Sequence, residues 1–495
     1  MNASINKFAL AATLALSFSS VAVQAQTATS LAPAPLLTTV EQKLAEGPAG
    51  SRIGMLVATL DGEVLVSIAP DQRFIPASNT KMFTTAIAYT ELPLLQRTAK
   101  GTGVQLETVA DGEVDVVLHG RGDAMLSSAD NCQTDCLQTL ADAVAAKTGH
   151  VRNIVGDDSW FPDERWSPGM SWNNIQSRYG TGVSALTLDD NELVVKLAPG
   201  AVGAAPSVQG SGYYEIENRV VTVAGKEDAI DASRMPNSRL LRLTGTVGAE
   251  VAPMTLRYGI DDPAHYAAWR FGELLRARGV RVDGDIAVRH RPLTAADDPE
   301  NRKGAPATRP PEPAMLAELP APSLAENMVR INKESQNLHS ELMLRRVARH
   351  AGSGSIADGQ AVIQKVMTGA GVSEAGYHFA DGSGMSSYNR LSPRAAVGLL
   401  GWIARQPWGA AWRETLPIAG RDGTLQNRFK GTILEGKLFA KTGSLNASRA
   451  LSGYLVTRSG ATLIFSALAN DMPEDTDGQA TAAVDRALVA IAEAL

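Results

Sequence analysis

The β-forming runs of this chain are gathered at its two ends. "SRIGMLVATL" and "EVLVSIAP" lie near the N-terminus, separated by Asp61-Gly62. That dipeptide closes hairpins because both positions tolerate φ > 0. "GKLFAKTG", "RALSGYLVTR" and "ATLIFSALAN" lie near the C-terminus. One antiparallel sheet assembled from both termini accommodates all of these runs, with the closing helix "QATAAVDRALVAIAEAL" packed on its face. The middle of the chain must then leave the sheet and return to it, as an insertion into an outer domain. The expected class is therefore α/β (α+β). No internal repeat of about 20–50 residues is present, which sets solenoids and propellers aside.

The middle is a patchwork of short elements. "VQLETVA", "EVDVVLHG" and "RNIVGDD" read as strands, and "LQTLADAVAAKTG" as a helix stopped by glycine. "DDPAHYAAWRFGELLRARG" reads as a helix with Pro263 near its first position and Gly279 at its end. Residues 300–313, "ENRKGAPATRPPEP", form the clearest linker, rich in proline and charge. Helices follow, including "SQNLHSELMLRRVARHAG" and "SPRAAVGLLGWIARQ".

With 44% hydrophobic and 20% charged residues in 495, the chain reads as globular. A net charge of −6 with acids and bases scattered leaves no polybasic footprint, so nucleic acid is not an expected partner. Lys7, the apolar "FALAATLALSFSSVAV" and the small residues of "VQA" have the order of a secretory signal over residues 1–25, cut between Ala25 and Gln26. Ser17, Ser19 and Ser20 make this stretch a poor membrane span, and no later segment approaches ~20 consecutive apolar residues. The mature protein is expected in the periplasm or an equivalent extracytoplasmic space, without a transmembrane anchor. There the two cysteines, Cys132 and Cys136, are expected to form a local disulfide rather than remain free thiols. The seven histidines form no HxxxH or HxH pair, so a metal-dependent mechanism is disfavoured and no cofactor is expected.

Three short motifs carry the chemistry, and each has a structural alternative. Ser78 and Lys81 stand one helical turn apart in "RFIPASNTKMFTTAIAY", which puts them on one face. A serine hydroxyl attacks only if something takes its proton. A lysine can do so when burial or a second cation lowers its pKa; the alternative is a snorkelling lysine. Ser335 and Asn337 open "SQNLHSELMLRRVARH", either as a helix cap or as a proton relay beside an amide that holds a carbonyl. Lys441-Thr442-Gly443 follows the strand-like "GKLFA", where a lysine either is solvated or holds an anion beside the strand edge. Singly, the motifs mean little. Ser4 to Lys7 repeats the first spacing inside the signal, and Lys147-Thr148-Gly149 merely ends a helix.

In chain order, Ser-x-x-Lys, Ser-x-Asn and Lys-Thr-Gly resemble the set of β-lactamases and penicillin-binding proteins. The long gap between Lys81 and Ser335 is similar to that of the class C low-molecular-mass penicillin-binding proteins, the D-alanyl-D-alanine carboxypeptidase/endopeptidase family. "GRGDAML", "VSALTLDDNEL", "FADGSGMS", "AGRDGTLQNRF" and "AKTGSL" look like that family too. The resemblance implies a penicillin-recognising transpeptidase-like domain, with an antiparallel five-stranded sheet, at 26–98 and 300–495. It implies an inserted subdomain at 99–124 and 198–299, with a second nested in it at 125–197.

By the same resemblance Ser78 forms the acyl-enzyme, Lys81 activates it, and Ser335 passes the proton to the leaving D-alanine nitrogen. Asn337 contacts substrate backbone and Lys81. Lys441 supplies charge, Thr442 and Ser444, flanking Gly443, bind the terminal carboxylate, and the N–H groups of Ser78 and Ser444 form the oxyanion hole. Peptidoglycan stem peptides are the implied substrates and β-lactams the implied covalent inhibitors. A β-lactamase or esterase, or an inactive wall-binding protein, is the alternative. Two departures stand out: Ser387 where the family often has arginine, and Asn174 in "SWNNI" where it often has aspartate. Both family residues hold the charged end of a diaminopimelate side chain, so that preference is in doubt unless Arg390 compensates.

Overall fold

A computed structural model describes residues 34–109, 112–309 and 311–495; the expected signal segment lies outside them. The runs from the two chain ends do form one sheet. Its strand order is Leu438–Leu445, Ser448–Val456, Thr462–Asn470, Arg52–Thr59, Val64–Ile68, antiparallel throughout. Gly62, at φ +92°, turns the chain between the last two.

Successive side chains alternate between the two faces of this sheet. Met55, Val57 and Phe465 pack with the helices Ala34–Ala45 and Asp477–Ala494. Leu56, Ala58, Ile464 and Leu468 face the other way, into a core shared with the helices Thr80–Thr98 and Pro393–Ala404. Burial on both faces explains why "ATLIFSALAN" is a nearly continuous apolar run instead of an alternating one. The helix Thr80–Thr98 threads the core, with residues 80–89 all buried.

The insertion has a core of its own, joining Val104, Leu140, Leu193, Leu243, Phe271 and Leu319. Its main sheet runs Ile286–Arg291, Ile154–Pro162, Val114–His119, Gly103–Thr108, Ala317–Glu318, with parallel and antiparallel pairs mixed. Cys132 and Cys136 are bonded, their Cα atoms 5.7 Å apart. Among the described residues no helix is long and apolar enough to cross a membrane.

The proline-rich segment read as a linker is instead laced to both units. Arg302 pairs with Asp358, Glu312 with Lys100, and Arg309 donates to the carbonyls of Arg349 and Gly352. Proline content signals the lack of regular structure, not the lack of contacts.

Phe465 is fully buried in the central strand of the sheet. Phe465→Ala is expected to destabilise the outer domain by about 3–5 kcal/mol, read as a lower urea midpoint with unchanged circular dichroism before the transition.

Candidate active site

Ser78 lies in the single 3-10 turn Ala77–Asn79 that runs directly into the helix Thr80–Thr98. Two backbone segments press on this turn. At Gly443 on the edge strand, an added Cβ would sit 2.5 Å from the carbonyl oxygen of Pro76 and 3.2 Å from the nitrogen of Ser78. At Gly384, whose φ is +94°, a Cβ would fall 1.9 Å from the carbonyl oxygen of Ala77. Glycine at both positions lets strand and loop close on the serine from two sides. The Asn79 amide donates to the Lys441 carbonyl at 2.9 Å, tying the turn to the edge strand.

Lys81 is fully buried and its Nζ touches three oxygens. It lies 2.9 Å from Ser78 Oγ, 2.6 Å from Asn337 Oδ1 and 2.6 Å from the Ser383 carbonyl. Burial pushes its ammonium down from the usual lysine range to about 7, while the Asp381 and Glu341 carboxylates pull the other way. The snorkelling alternative does not hold, because no part of this side chain reaches solvent.

Lys441 is equally buried. Its Nζ donates to Ser335 Oγ at 2.9 Å and to the Thr442 carbonyl at 3.0 Å. Burial first, and the Lys81 charge second, hold it well below the ordinary lysine range. Ser335 does not cap the helix Asn337–Ala351: Gln336 occupies the cap position, and Ser335 sits at φ +60° with its hydroxyl turned to Lys441. Asn337 bridges the site, accepting from Lys81 and donating to the Tyr179 carbonyl at 2.9 Å. Thr442 Oγ1 meets Thr424 Oγ1 at 2.7 Å. By contrast Lys147, of the second Lys-Thr-Gly, is exposed at the end of the helix Leu137–Lys147.

Ser78, Ser335, Asn337, Thr442, Gly443 and Ser444 thus line one cleft of about 650 Å³. Asn174 lines it too, whereas Ser387 is hydrogen-bonded to the Gly169 carbonyl and Arg390 folds back onto the carbonyls of Ser387 and Asn389.

Several supporting residues carried no sequence signal of their own. Glu341 is buried one turn beyond Asn337 and accepts from the N–H groups of Gly382 and Ser383 at 3.0 and 2.8 Å. That holds the loop whose Ser383 carbonyl touches Lys81. Burial and the Asp381 charge push the Glu341 carboxyl upward. Asp381 in turn accepts from the backbone of Gly384 and Ser386 at 2.9 and 2.6 Å and from the Asn389 amide at 2.7 Å.

A serine whose neighbour in reach is a lysine one turn on, set against Lys-Thr-Gly on an edge strand, is the arrangement of the penicillin-recognising serine hydrolases, and the family match places the chain in that class. More narrowly, the chain belongs to the D-Ala-D-Ala carboxypeptidase 3 (S13) family, which it matches over residues 36–495. It is 34% identical, over 81% of its own length and 74% of the relative's, to the D-alanyl-D-alanine carboxypeptidase of an Actinomadura species. It is 22% identical to the D-alanyl-D-alanine carboxypeptidase DacB of Haemophilus influenzae, over 84% of this chain and 85% of that one. Penicillin binding protein 4 (dacB) of Haemophilus influenzae has the same fold, with a TM-score of 0.75 at 20% identity, covering 91% of this chain and 98% of that one.

Gly384→Ala places a methyl group against the Ala77 carbonyl at a left-handed φ. A loss of at least about 2 kcal/mol is expected; a melting midpoint equal to the parent's would contradict so close a contact.

Proposed function

We propose that this chain is an exported serine DD-peptidase. It removes the terminal D-alanine from peptidoglycan pentapeptides, cleaves D-alanine crosslinks, or does both, through an acyl-enzyme on Ser78. The observation that carries this reading is the buried Lys81 Nζ, 2.9 Å from Ser78 Oγ, with its pKa lowered to about 7. At neutral pH such a lysine is partly free of its proton, and its lone pair can accept the serine's.

In the proposed reaction Ser78 Oγ attacks the carbonyl carbon of the penultimate D-alanine while its proton passes to Lys81. The oxyanion sits between the N–H groups of Ser78 and Ser444, each donor of this kind being worth ~3 kcal/mol. The carbon–nitrogen bond then breaks as the proton held by Lys81 is relayed through the Ser335 hydroxyl, oriented by Lys441, which receives one proton as it passes another to the leaving D-alanine nitrogen, and Lys81 is again neutral. Lys81 then takes a proton from the water that attacks the ester and returns it to Ser78 Oγ as the acyl–oxygen bond breaks. The hydroxyls of Thr442 and Ser444 receive the terminal carboxylate, and that anion raises the proton affinity of Lys441. Asn174 offers the stem peptide's side chain a neutral amide, which weakens any preference for a charged end.

A β-lactam would acylate Ser78 by the same attack, and penicillin binding protein 4 of Haemophilus influenzae has been seen complexed with a β-lactam. Peptidoglycan lies outside the cytoplasm, in keeping with export through residues 1–25.

Ser78→Ala should abolish both fluorescent-penicillin labelling and D-alanine release with the fold intact; persistent labelling would sink the assignment. Lys81→Ala should slow acylation by about 10²–10⁴-fold. In the parent protein the neutral form of Lys81 gains as pH rises through about 7. The acylation rate should therefore climb about tenfold per pH unit below that value and flatten above it. A flat profile across pH 5–8 (roughly two units below to one above) would remove Lys81 as the base.

A further inference from the structure

The helix Asn337–Ala351 is buried along residues 337–348, yet it carries a series of titratable side chains. A buried charge persists only with a partner, and most of these have one. His339 lies 2.7 Å from Asp190, Glu341 accepts two backbone N–H groups, Arg345 pairs with Glu164 at 2.5 Å, and Arg346 faces the Asp123 carboxylate. Arg349, in the last turn, is less well served: its Nε and Nη1 are buried and make no hydrogen bond to a described residue, and the Glu312 carboxylate that acts on it is shared with Lys100 and Arg121.

Arg349 opens onto a cavity of about 660 Å³ between the insertion, the helix end and the segment around Arg309. Arg121 enters the same cavity from the loop after the strand Val114–His119. It is 5% exposed, and its Nε and Nη2 also lack a hydrogen-bond partner among the described residues. The Glu312 carboxylate stands 3.8 Å from Arg121, but it is engaged by Lys100. Among the described residues Arg309 donates to main-chain carbonyls at the helix end and pairs with no carboxylate directly; the Asp358 and Glu312 charges that act on it are engaged by Arg302 and Lys100.

The other charges around the cavity are matched among themselves: Arg291 with Asp297 at 2.6 Å, Arg289 with Glu107, and His119 with Asp157 at 3.4 Å. Trp160 forms a wall, its ring 5.4 Å from the Arg349 guanidinium. Burial, together with the like charges of Arg309 and Arg291, lowers the Arg349 pKa to about 10. Such a fall reflects burial first and crowded cations second, with Glu312 opposing it.

We propose that this cavity is a binding site for a multivalent oxyanion, a phosphate or diphosphate group, held by Arg121, Arg309 and Arg349. Three guanidiniums from three separate segments present planar forks that match phosphate oxygens two at a time. A single carboxylate, Glu312, already reaches the mouth and leaves buried donors unfilled, so an anion with more oxygens and more charge is the better fit. The site is separate from the catalytic cleft. Asn337 and Arg349 lie at opposite ends of one helix, about 18 Å apart at 1.5 Å per residue.

The test titrates the full mature protein with inorganic phosphate, pyrophosphate and a chain polyphosphate, at constant ionic strength, by calorimetry and melting temperature. Saturable binding is expected, with pyrophosphate at least tenfold tighter than phosphate. Arg349→Gln should weaken pyrophosphate binding at least tenfold while leaving fluorescent-penicillin labelling unchanged. Glu312→Gln removes the competing carboxylate and should tighten binding severalfold, which a folding defect could not mimic. Saturation by polyphosphate alone would keep the site and identify a polymer-borne phosphate as its occupant. Equal affinity in the parent protein and both variants, or a melting shift reproduced by sodium chloride at the same ionic strength, would overturn the proposal.

Discussion

The Lys81 ammonium sits in the core of the outer domain with no solvent contact, and the architecture around it is arranged to tolerate that. Burying an isolated ammonium costs several kcal/mol even after relaxation. Here three oxygens receive it, from Ser78, Asn337 and the Ser383 carbonyl, each on a different segment of chain. Asp381 and Glu341 supply negative charge nearby, and they are held by the N–H groups of the loop that carries Ser383. The result is a lysine poised near neutrality instead of one fixed in the charged state. Removing the carboxylates would lower its proton affinity further, and exposing it would restore an ordinary lysine.

This constraint explains why the fold is closed from both ends. Ser78 and Lys81 come from the N-terminal portion, Asn337 and Ser383 from beyond the insertion, and Lys441 from the sheet's edge strand. No local stretch could bring two lysines and two serines together. The sheet does so by pairing Arg52–Thr59 with Thr462–Asn470 and so placing the Ser78 turn beside Gly443. Side chains there would force strand and turn apart. The two glycines therefore shape the candidate site as much as the polar groups do, since they set how closely strand and loop approach the Ser78 turn.

The sheet was legible because its strands are long, apolar and marked by Asp61-Gly62, and the grouping of the candidate site residues because their spacing is fixed by one helical turn and one strand. Glu341 and Asp381 were not legible: their role is to hold backbone N–H groups of a loop, and nothing in "SEL" or "ADG" says which loop will arrive. Ser335 illustrates the same limit, since a serine before a helix reads as a cap, and only the position of Lys441 turns its hydroxyl elsewhere. The mixed sheet of the insertion was opaque because Val114–His119 pairs in parallel with Ile154–Pro162, across an intervening helix, and leaves no local turn signal. "ENRKGAPATRPPEP" misled in the opposite sense. Its prolines exclude regular structure, but its arginines and glutamate find partners on both units.

These observations meet in the helix Asn337–Ala351. Its N-terminal end completes the coordination of Lys81, and its C-terminal end projects Arg349 into the second cavity. Between them lie residues packed on every side, so the helix has little freedom to rotate or slide without disturbing both ends. The partners of its charged residues come mostly from the insertion: Glu164 for Arg345, Asp190 for His339, Asp123 for Arg346. The insertion thus supplies the charge partners along a helix whose first residue touches Lys81. A chain lacking it would leave several buried charges unpaired beside the candidate site.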